Sequence, residues 1–330
     1  MRLPFLRRTA LAAGTVLVVL TITFVGLHLA PGDPVRLYLG AEADPSAAQA
    51  LRHDLGLDRP LAVQYADWLR RFVVLDWGVS IAQRRPVTAV IGGALGPTLL
   101  LTGLSLAVSW VFGLLVGTLQ AARRGSRTDH ALTGLTVAVQ AVPAYVLGLG
   151  LVLVFAYGAA LRDWPAFLRL PAMGASSVGA DLLEPGARLA DRLRHLILPV
   201  TTLALIGAGG LARFVRATTV DALRHPAVRV ARAKGLGEWR ILLSHAIRSS
   251  APPLITLAAL QLPALFSGAV FVETIFAWPG MGRVAVTAVL GRDYPVVLAV
   301  TAVFAVLVVA GNLLADALAA AADPRAREDA

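Results

Sequence analysis

Apolar positions in this chain come in long runs. The short alternations and 3.6-residue stripes of half-buried, water-facing elements are rare. Six runs approach or exceed the ~20 residues a helix needs to cross ~30 Å of hydrocarbon: 9–30, 98–121, 131–160, 196–214, 251–276 and 295–322. Each predicts a spanning helix, because a backbone in hydrocarbon must satisfy its own N–H and C=O groups. The expected fold is an all-α integral membrane protein with six transmembrane helices. Pro143 falls inside the third run. The first run has 22 residues after Arg2, Arg7 and Arg8. That exceeds the ~7–15 apolar residues of a secretory signal and reads as an uncleaved span.

The organisation that follows is residues 1–30 as N-terminus and first span, 31–96 as a polar outer segment, 97–322 as a membrane core, and 323–330 as a tail. A polar loop, 215–250, interrupts the core. In the outer segment Asp44 suits a helix N-cap with Pro45 at the first position, and Gly56 suits the stop. After Pro60 the stretch LAVQYADWLRRFVVLDWG mixes aromatic and aliphatic residues with Arg70, Arg71 and Asp76. It predicts a short helix, either lying at the membrane surface with Trp68 and Trp77 at headgroup depth, or packed in an ordinary outer subdomain. From 277 to 294 a short loop is expected.

Composition sharpens this picture. Of the 330 residues 57% are hydrophobic and only 15% charged, and mean hydropathy is +0.71. Soluble domains carry ~25% charged residues. The absence of cysteine excludes disulfides, thiolate metal sites and cysteine nucleophiles. Lys234 is the only lysine, and the net charge is +10. That charge lies between apolar runs and not on one soluble module, so membrane topology explains it better than nucleic-acid binding. The N-terminus, 123–130, 213–250 and the tail hold 16 basic and 6 acidic side chains, against 14 and 13 on the opposite set. The positive-inside rule then expects both termini in the cytoplasm of a multi-pass cell-membrane protein.

The spans carry no ionisable residue in their middles, which disfavours an ion-coupled carrier. No GxxxxGK[ST] phosphate loop is present either. If transport consumes ATP, a separate chain binds it. Uncharged polar residues do recur: Gln140 and Tyr145 in the third run, Thr201 in the fourth, Gln261 and Ser267 in the fifth. They either make interhelical hydrogen bonds or line a pathway. Gly207, Gly209 and Gly210 suit close helix packing, with pore lining as the alternative. Glu273 is either a satisfied polar group near the headgroups, or an outer gate or contact for a delivering protein.

Residues 221–254, DALRHPAVRVARAKGLGEWRILLSHAIRSSAPPL, carry the most local signal. Pro226 suits a helix start and Gly235 a left-handed stop, with Lys234 in the last turn. A second helix is expected to run through Trp239–Arg248 and end before Pro252-Pro253. The product is a small knob. Ala231 and Ala233 are small enough for it to seat in a groove, with arginines toward acidic rims. The alternative is a solvated basic loop.

This stretch resembles the coupling loop of ABC-importer permeases of the dipeptide/oligopeptide/nickel type, which typically read ARAKGL here. This chain has Ala231-Arg232-Ala233-Lys234-Gly235-Leu236. Further matches are His28-Leu-Ala-Pro-Gly-Asp-Pro34, Leu55-Gly-Leu-Asp-Arg-Pro60, Val63-Gln64-Tyr65, Val272-Glu273-Thr274, Phe276-Ala-Trp-Pro-Gly280, Arg292-Asp-Tyr-Pro-Val296 and Asp323-Pro-Arg325. The resemblance implies a type I importer architecture in which this chain forms half the pathway. Its partners would be a second homologous permease (a heterodimer), two ATP-binding subunits and an extracytoplasmic solute-binding protein, in a lipid bilayer. No nucleic acid is involved. No cofactor binds this chain, and ATP and Mg are used by the partner subunits. Val230, Ala231, Arg232, Ala233, Lys234, Gly235 and Leu236 would meet the ATPase. Two positions depart from the pattern: Pro226-Ala227 replace the usual Asp-Tyr, and Val230 stands where the wider superfamily has Glu. The cargo the resemblance implies is short peptides, di- or oligopeptides, with nickel or another small solute as the alternative. A lone carrier or channel, and a scaffold that only holds the ATPase, are the competing classes.

Overall fold

The computed structural model describes residues 2–29, 35, 39, 44–54, 56–266 and 270–322. The Pro31–Pro34 turn, Ser267 and the tail from Asp323 lie outside them. Among the described residues the regular structure is all helical apart from one isolated bridge, Val79 to Pro86. The helices are α1 (Arg2–Leu29), α2 (Pro45–Asp54), α3 (Leu61–Val73), α4 (Val87–Ala122), α5 (Arg127–Ala141), α6 (Ala144–Val152), α7 (Pro185–Leu223), α8 (Pro226–Ala233), α9 (Glu238–Ile241), α10 (Ile247–Phe266), α11 (Val270–Ile275), α12 (Met281–Leu290) and α13 (Tyr294–Ala322). Among the described residues four helical stretches are long and apolar enough to cross a membrane: Val87–Ala122, Ala144–Leu161, Pro185–Leu223 and Tyr294–Leu318. Ala13–Leu29 is apolar but shorter.

Three expectations are corrected. The third run is not one helix. Val142 is extended at ψ 125°, and Pro143 restarts the chain as the N-cap of α6. The cause is steric, since the residue before proline is pushed out of the α region. The second correction runs the other way, because α10 passes through Pro252-Pro253 and ends at Phe266. Its first turns follow a π turn, Leu242–Ala246. Buried Leu254 and half-buried Leu257, just past the prolines, pack with Leu211 and Val215 of α7. Third, the stretch before Tyr294 is not a loop but contains α12.

α4 and α7 have 36 and 39 residues. At 1.5 Å per residue they reach roughly 54 and 58 Å, well beyond the hydrocarbon thickness. Each is therefore longer than a membrane crossing requires, and α7 delivers the chain directly into the 221–254 loop.

The chain forms two compact units. The first comprises residues 1–98 and 279–309. Its core is set by helical spacing: Val87, Val90, Ile91 and Ala94 fall on one face of α4 and pack with Met281, Ala288, Val296, Val297 and Val300. Outside this core α3 lies on α1. The Thr21 and Tyr65 hydroxyls are 2.6 Å apart, His28 Nε2 is 3.1 Å from Gln64 Oε1, and the Phe24 ring meets Tyr65 and Trp68. These contacts rest α3 against the upper part of α1. Asp44 caps α2 through Ser46 N–H, and Gly56 adopts φ +68°, both as the sequence predicts.

Asp293 holds the loop before α4. Its buried carboxylate accepts hydrogen bonds from Ser80 Oγ (2.5 Å), Ile81 N (3.1 Å) and Ala82 N (3.1 Å).

The second unit comprises residues 99–278 and 310–330. Here α4 and α7 approach closely. A Cβ at Gly113 would sit 2.6 Å from Leu211, and one at Gly117 2.4 Å from the Ala212 carbonyl. Gly207 is equally tight against Ser109, and Gly209 against Thr136 and Gln140. The small residues in α7 are packing positions, which is how helices gain contact where the solvent is lipid.

Candidate functional site

The candidate site is the 221–254 loop, and its shape follows from short-range chemistry. His225 is extended (ψ 142°), and its Nδ1 accepts from Ala227 N–H at 3.3 Å, capping α8. Pro226 takes the first helical position, where its missing N–H costs nothing. At the other end Gly235 has φ +78°. Gly235 N–H donates to Arg232 O at 2.9 Å and Leu236 N–H to Ala231 O at 3.3 Å. This pair of bonds is a Schellman stop, which favours glycine at the left-handed residue. Leu236 then folds back onto a cluster of Val228, Ala231 and Ile241, joined by Leu223.

One ion pair spans the turn. Arg232 Nε and Nη2 lie 2.7 and 3.0 Å from the two carboxylate oxygens of Glu238. The two-pronged bond from Arg232 holds the Glu238 carboxyl below its ordinary pKa, and Glu238 in turn raises Arg232. A capped helix, a glycine stop, a small apolar cluster and a forked ion pair together make α8 and the start of α9 one rigid piece.

The cluster and the ion pair divide the predicted residues. Ala231 is 4% exposed and faces its own chain, so its side chain adds nothing to the exposed surface of the knob. Leu236 is half-buried and also works inward. Val230, Ala233, Lys234 and Gly235 form the exposed face. Arg232 is exposed but already paired. The offered surface is therefore Val230 and the Ala233–Gly235 end, not the whole motif.

A second brace, which the sequence reading missed, lies where α7 leaves the bundle. The Arg216 guanidinium grips Asp129 at 2.8 and 2.7 Å, and Gly125 N–H adds a third bond at 2.9 Å. Asp129 is buried in the first turn of α5, and Ser126 Oγ caps its backbone N–H. The bonds from Arg216 lower the Asp129 carboxyl to about 2, with burial opposing them. A readable signal existed in Ser126 three residues before an acid. It named a helix start, but not the arginine 87 positions later.

The pathway candidates are not brought together. Gln140 accepts from Arg213 and donates to Ile206 O at 3.4 Å, against the glycines of α7. Gln261 accepts from Trp110 Nε1 at 2.9 Å. Tyr145 is 51% exposed and Thr201 half-buried. No hydrogen bond joins any two of these four among the described residues. For both glutamines the structure supplies the interhelical bonds of the plainer reading. Glu273 is fully buried in α11 and offers no surface to a delivering protein in this conformation.

The fold and the loop define a class, a multi-pass helical membrane component with a rigid knob on one side. Two family models name it. Residues 1–99 match the N-terminal membrane component of binding-protein-dependent transport systems, and 109–328 match the inner membrane component itself. The oligopeptide transport system permease protein AppB of Bacillus subtilis is 37% identical over 325 residues, covering 97% of this chain and 98% of that one. The glutathione transport system permease protein GsiC of Pectobacterium atrosepticum is also 37% identical, covering 98% of each. Among solved structures, an inward-facing MetNI methionine ABC transporter shares the fold over 72% of this chain and 98% of that chain, at a TM-score of 0.55 and 17% identity. The chain belongs to the binding-protein-dependent transport system inner membrane component family. It is a membrane permease subunit, not an enzyme.

Proposed function

We propose that this chain forms half of the translocation pathway of an ATP-driven importer of short peptides. The peptide cargo is carried over from the oligopeptide and glutathione relatives, glutathione itself being a tripeptide. Two ATPase subunits, which use ATP and Mg, engage the exposed face of α8, and a second permease completes the pathway. An extracytoplasmic binding protein delivers cargo. Both termini and the knob face the cytoplasm, in line with the excess of arginine on that set of connections. The count of six spans belongs to this reading.

The observation that carries the proposal is the set of internal ties across the knob. Force from a moving partner reaches the spans only if the piece it pushes does not deform. Residues 225–241 are stiffened by both caps, the Arg232–Glu238 pair and the Val228–Ala231–Ile241 cluster. They also connect directly to α7, which runs the full depth of the membrane.

Gly235→Pro tests this. Proline fixes φ near −65°, where the turn has +78°, and removes the N–H bonded to Arg232 O. ATP-dependent peptide uptake into proteoliposomes of the assembled transporter is expected to vanish, with membrane insertion unchanged. Full uptake in that variant defeats the coupling assignment.

A further inference from the structure

A second site lies beside the knob, outside its exposed face. A cavity of about 450 Å³ opens where α4 and α7 end. Its floor is apolar, made by Ala121, Ala122, Val220, Leu223 and Leu242. Its rim is basic, with Arg123, Arg124 and Arg224. Arg232 also lines it but is neutralised by Glu238. The Arg123 and Arg124 side chains make no ion pair or hydrogen bond among the described residues. Arg224 has only a 3.9 Å approach to Asp221, with both side chains more than half exposed. The rim therefore holds three arginine charges with almost no internal compensation.

An occupant must match both surfaces, with an anionic head and an apolar body. The floor also continues along the bundle. Ala122 is one heptad beyond Leu115 on the same face of α4, and Leu115 and Val111 are 63% and 56% exposed. Trp239, 59% exposed, stands at the rim, and indoles favour headgroup depth. An acidic protein groove would satisfy the arginines but leave this apolar track uncovered.

We propose that this cavity binds an anionic phospholipid, its phosphate held among Arg123, Arg124 and Arg224 and its acyl chains running up α4 past Leu115. Basic pockets between membrane helices recognise such headgroups through charge, at about 1 kcal/mol per arginine, or roughly fivefold in affinity. The site does not rest on the ATPase reading, because Arg123 and Arg124 lie outside the knob.

The test uses the assembled transporter in phosphatidylcholine nanodiscs doped with phosphatidylglycerol, with retained lipid counted by native mass spectrometry. The intact protein is expected to retain phosphatidylglycerol selectively. Arg123→Gln/Arg124→Gln is expected to weaken retention about 30-fold, while Arg123→Lys/Arg124→Lys keeps most of it. Equal retention by the Gln variant and the intact protein overturns the proposal. If the Gln variant does not assemble, salt decides on the intact protein. Selective retention should fall as ionic strength rises, and salt-independent retention counts against the site. Displacement of the lipid by millimolar inorganic phosphate would mean a bare anion site and overturns the lipid assignment. Retention by the permease alone that disappears when the ATPase docks would make the cavity a protein interface, which also overturns it.

Discussion

The knob at 225–241 and the loop at 80–82 are both irregular segments held by a carboxylate, and they are held in opposite ways. The 80–82 loop is tied by Asp293 across 213 positions, through a carboxylate that is 2% exposed and takes three donors. The knob is tied by Glu238 across 6 positions, through a pair whose side chains are 45% and 68% exposed. Burial makes the first tie stiff and expensive to break, because donors left without a partner lose their bonds. Exposure makes the second weak in free energy, about 0.2–1 kcal/mol. The knob keeps its shape from within and is lightly bonded to everything else. A segment that must move as a body is best built that way, and a segment that must stay in place is built like the Asp293 loop.

The sharpest way to test this contrast is to cut the strong tie. Asp293→Ala strands the Ser80 hydroxyl and two backbone N–H groups. A loss of about 3–5 kcal/mol is expected, read as a lower thermal midpoint and reduced protein in the membrane. Asp129→Asn comes next, at about 2–3 kcal/mol, because Arg216 loses its forked partner but stays one-third exposed to water. The Asp129 tie also has a pH signature. Its folded pKa of about 2 is depressed below the ordinary 3.8, so its contribution is complete above that value and fades as pH falls toward 2. Acid unfolding of Asp129→Asn should begin from lower stability and fall less steeply between pH 4 and pH 2. An unchanged acid limb would show that the pair does not form.

Inside the knob the expected effect is smaller and local. Ile241→Ala empties the centre of a cluster of three buried side chains, at a cost of about 2 kcal/mol. Because the knob is held from within, amide exchange over 226–241 should accelerate while exchange in α4 and α13 stays unchanged. Faster exchange throughout the chain would mean that the knob is welded to the bundle, and the contrast with the 80–82 loop would fail.

The same division explains what the sequence reveals. The Gly235 stop, the Pro226 start and the Asp44 cap each depend on neighbours within five residues, and each is present where its pattern stands. The ties to Asp293 and between Arg216 and Asp129 join residues far apart, and one sequence offers no rule that pairs them. The prolines show the limit most clearly. Pro143 breaks its helix and Pro252-Pro253 do not, although the local chemistry is alike. α5 and α6, on either side of Pro143, pack on α7 as α10 does, so contact with α7 does not separate the two cases, and the local pattern does not either. Ala231 makes the same point within the motif. Its identity is legible and its direction is not, since only the fold shows Ile241 and Leu236 covering it.

The smallest stability effect decides the most about function. Arg232→Glu places two carboxylates where a forked ion pair stood, and the exposed geometry limits the stability cost to about 1 kcal/mol. Uptake should nevertheless fall well beyond what that cost implies, because the turn that fixes the direction of α8 is now pushed apart. Loss of uptake alone would not separate bracing from a direct contact between Arg232 and an acidic rim on the ATPase. The exchanged pair, Arg232→Glu with Glu238→Arg, does separate them. If Arg232 acts by bracing the glycine turn, the exchange rebuilds the pair in reverse and uptake returns to at least half of normal. If Arg232 instead touches the partner, the exchange leaves a carboxylate facing an acidic rim, and uptake stays as low as in the single variant. The bonds at 2.7 and 3.0 Å favour recovery, because the Nε–Nη2 edge of the guanidinium, the edge suited to gripping a carboxylate with two parallel bonds, is already committed to Glu238.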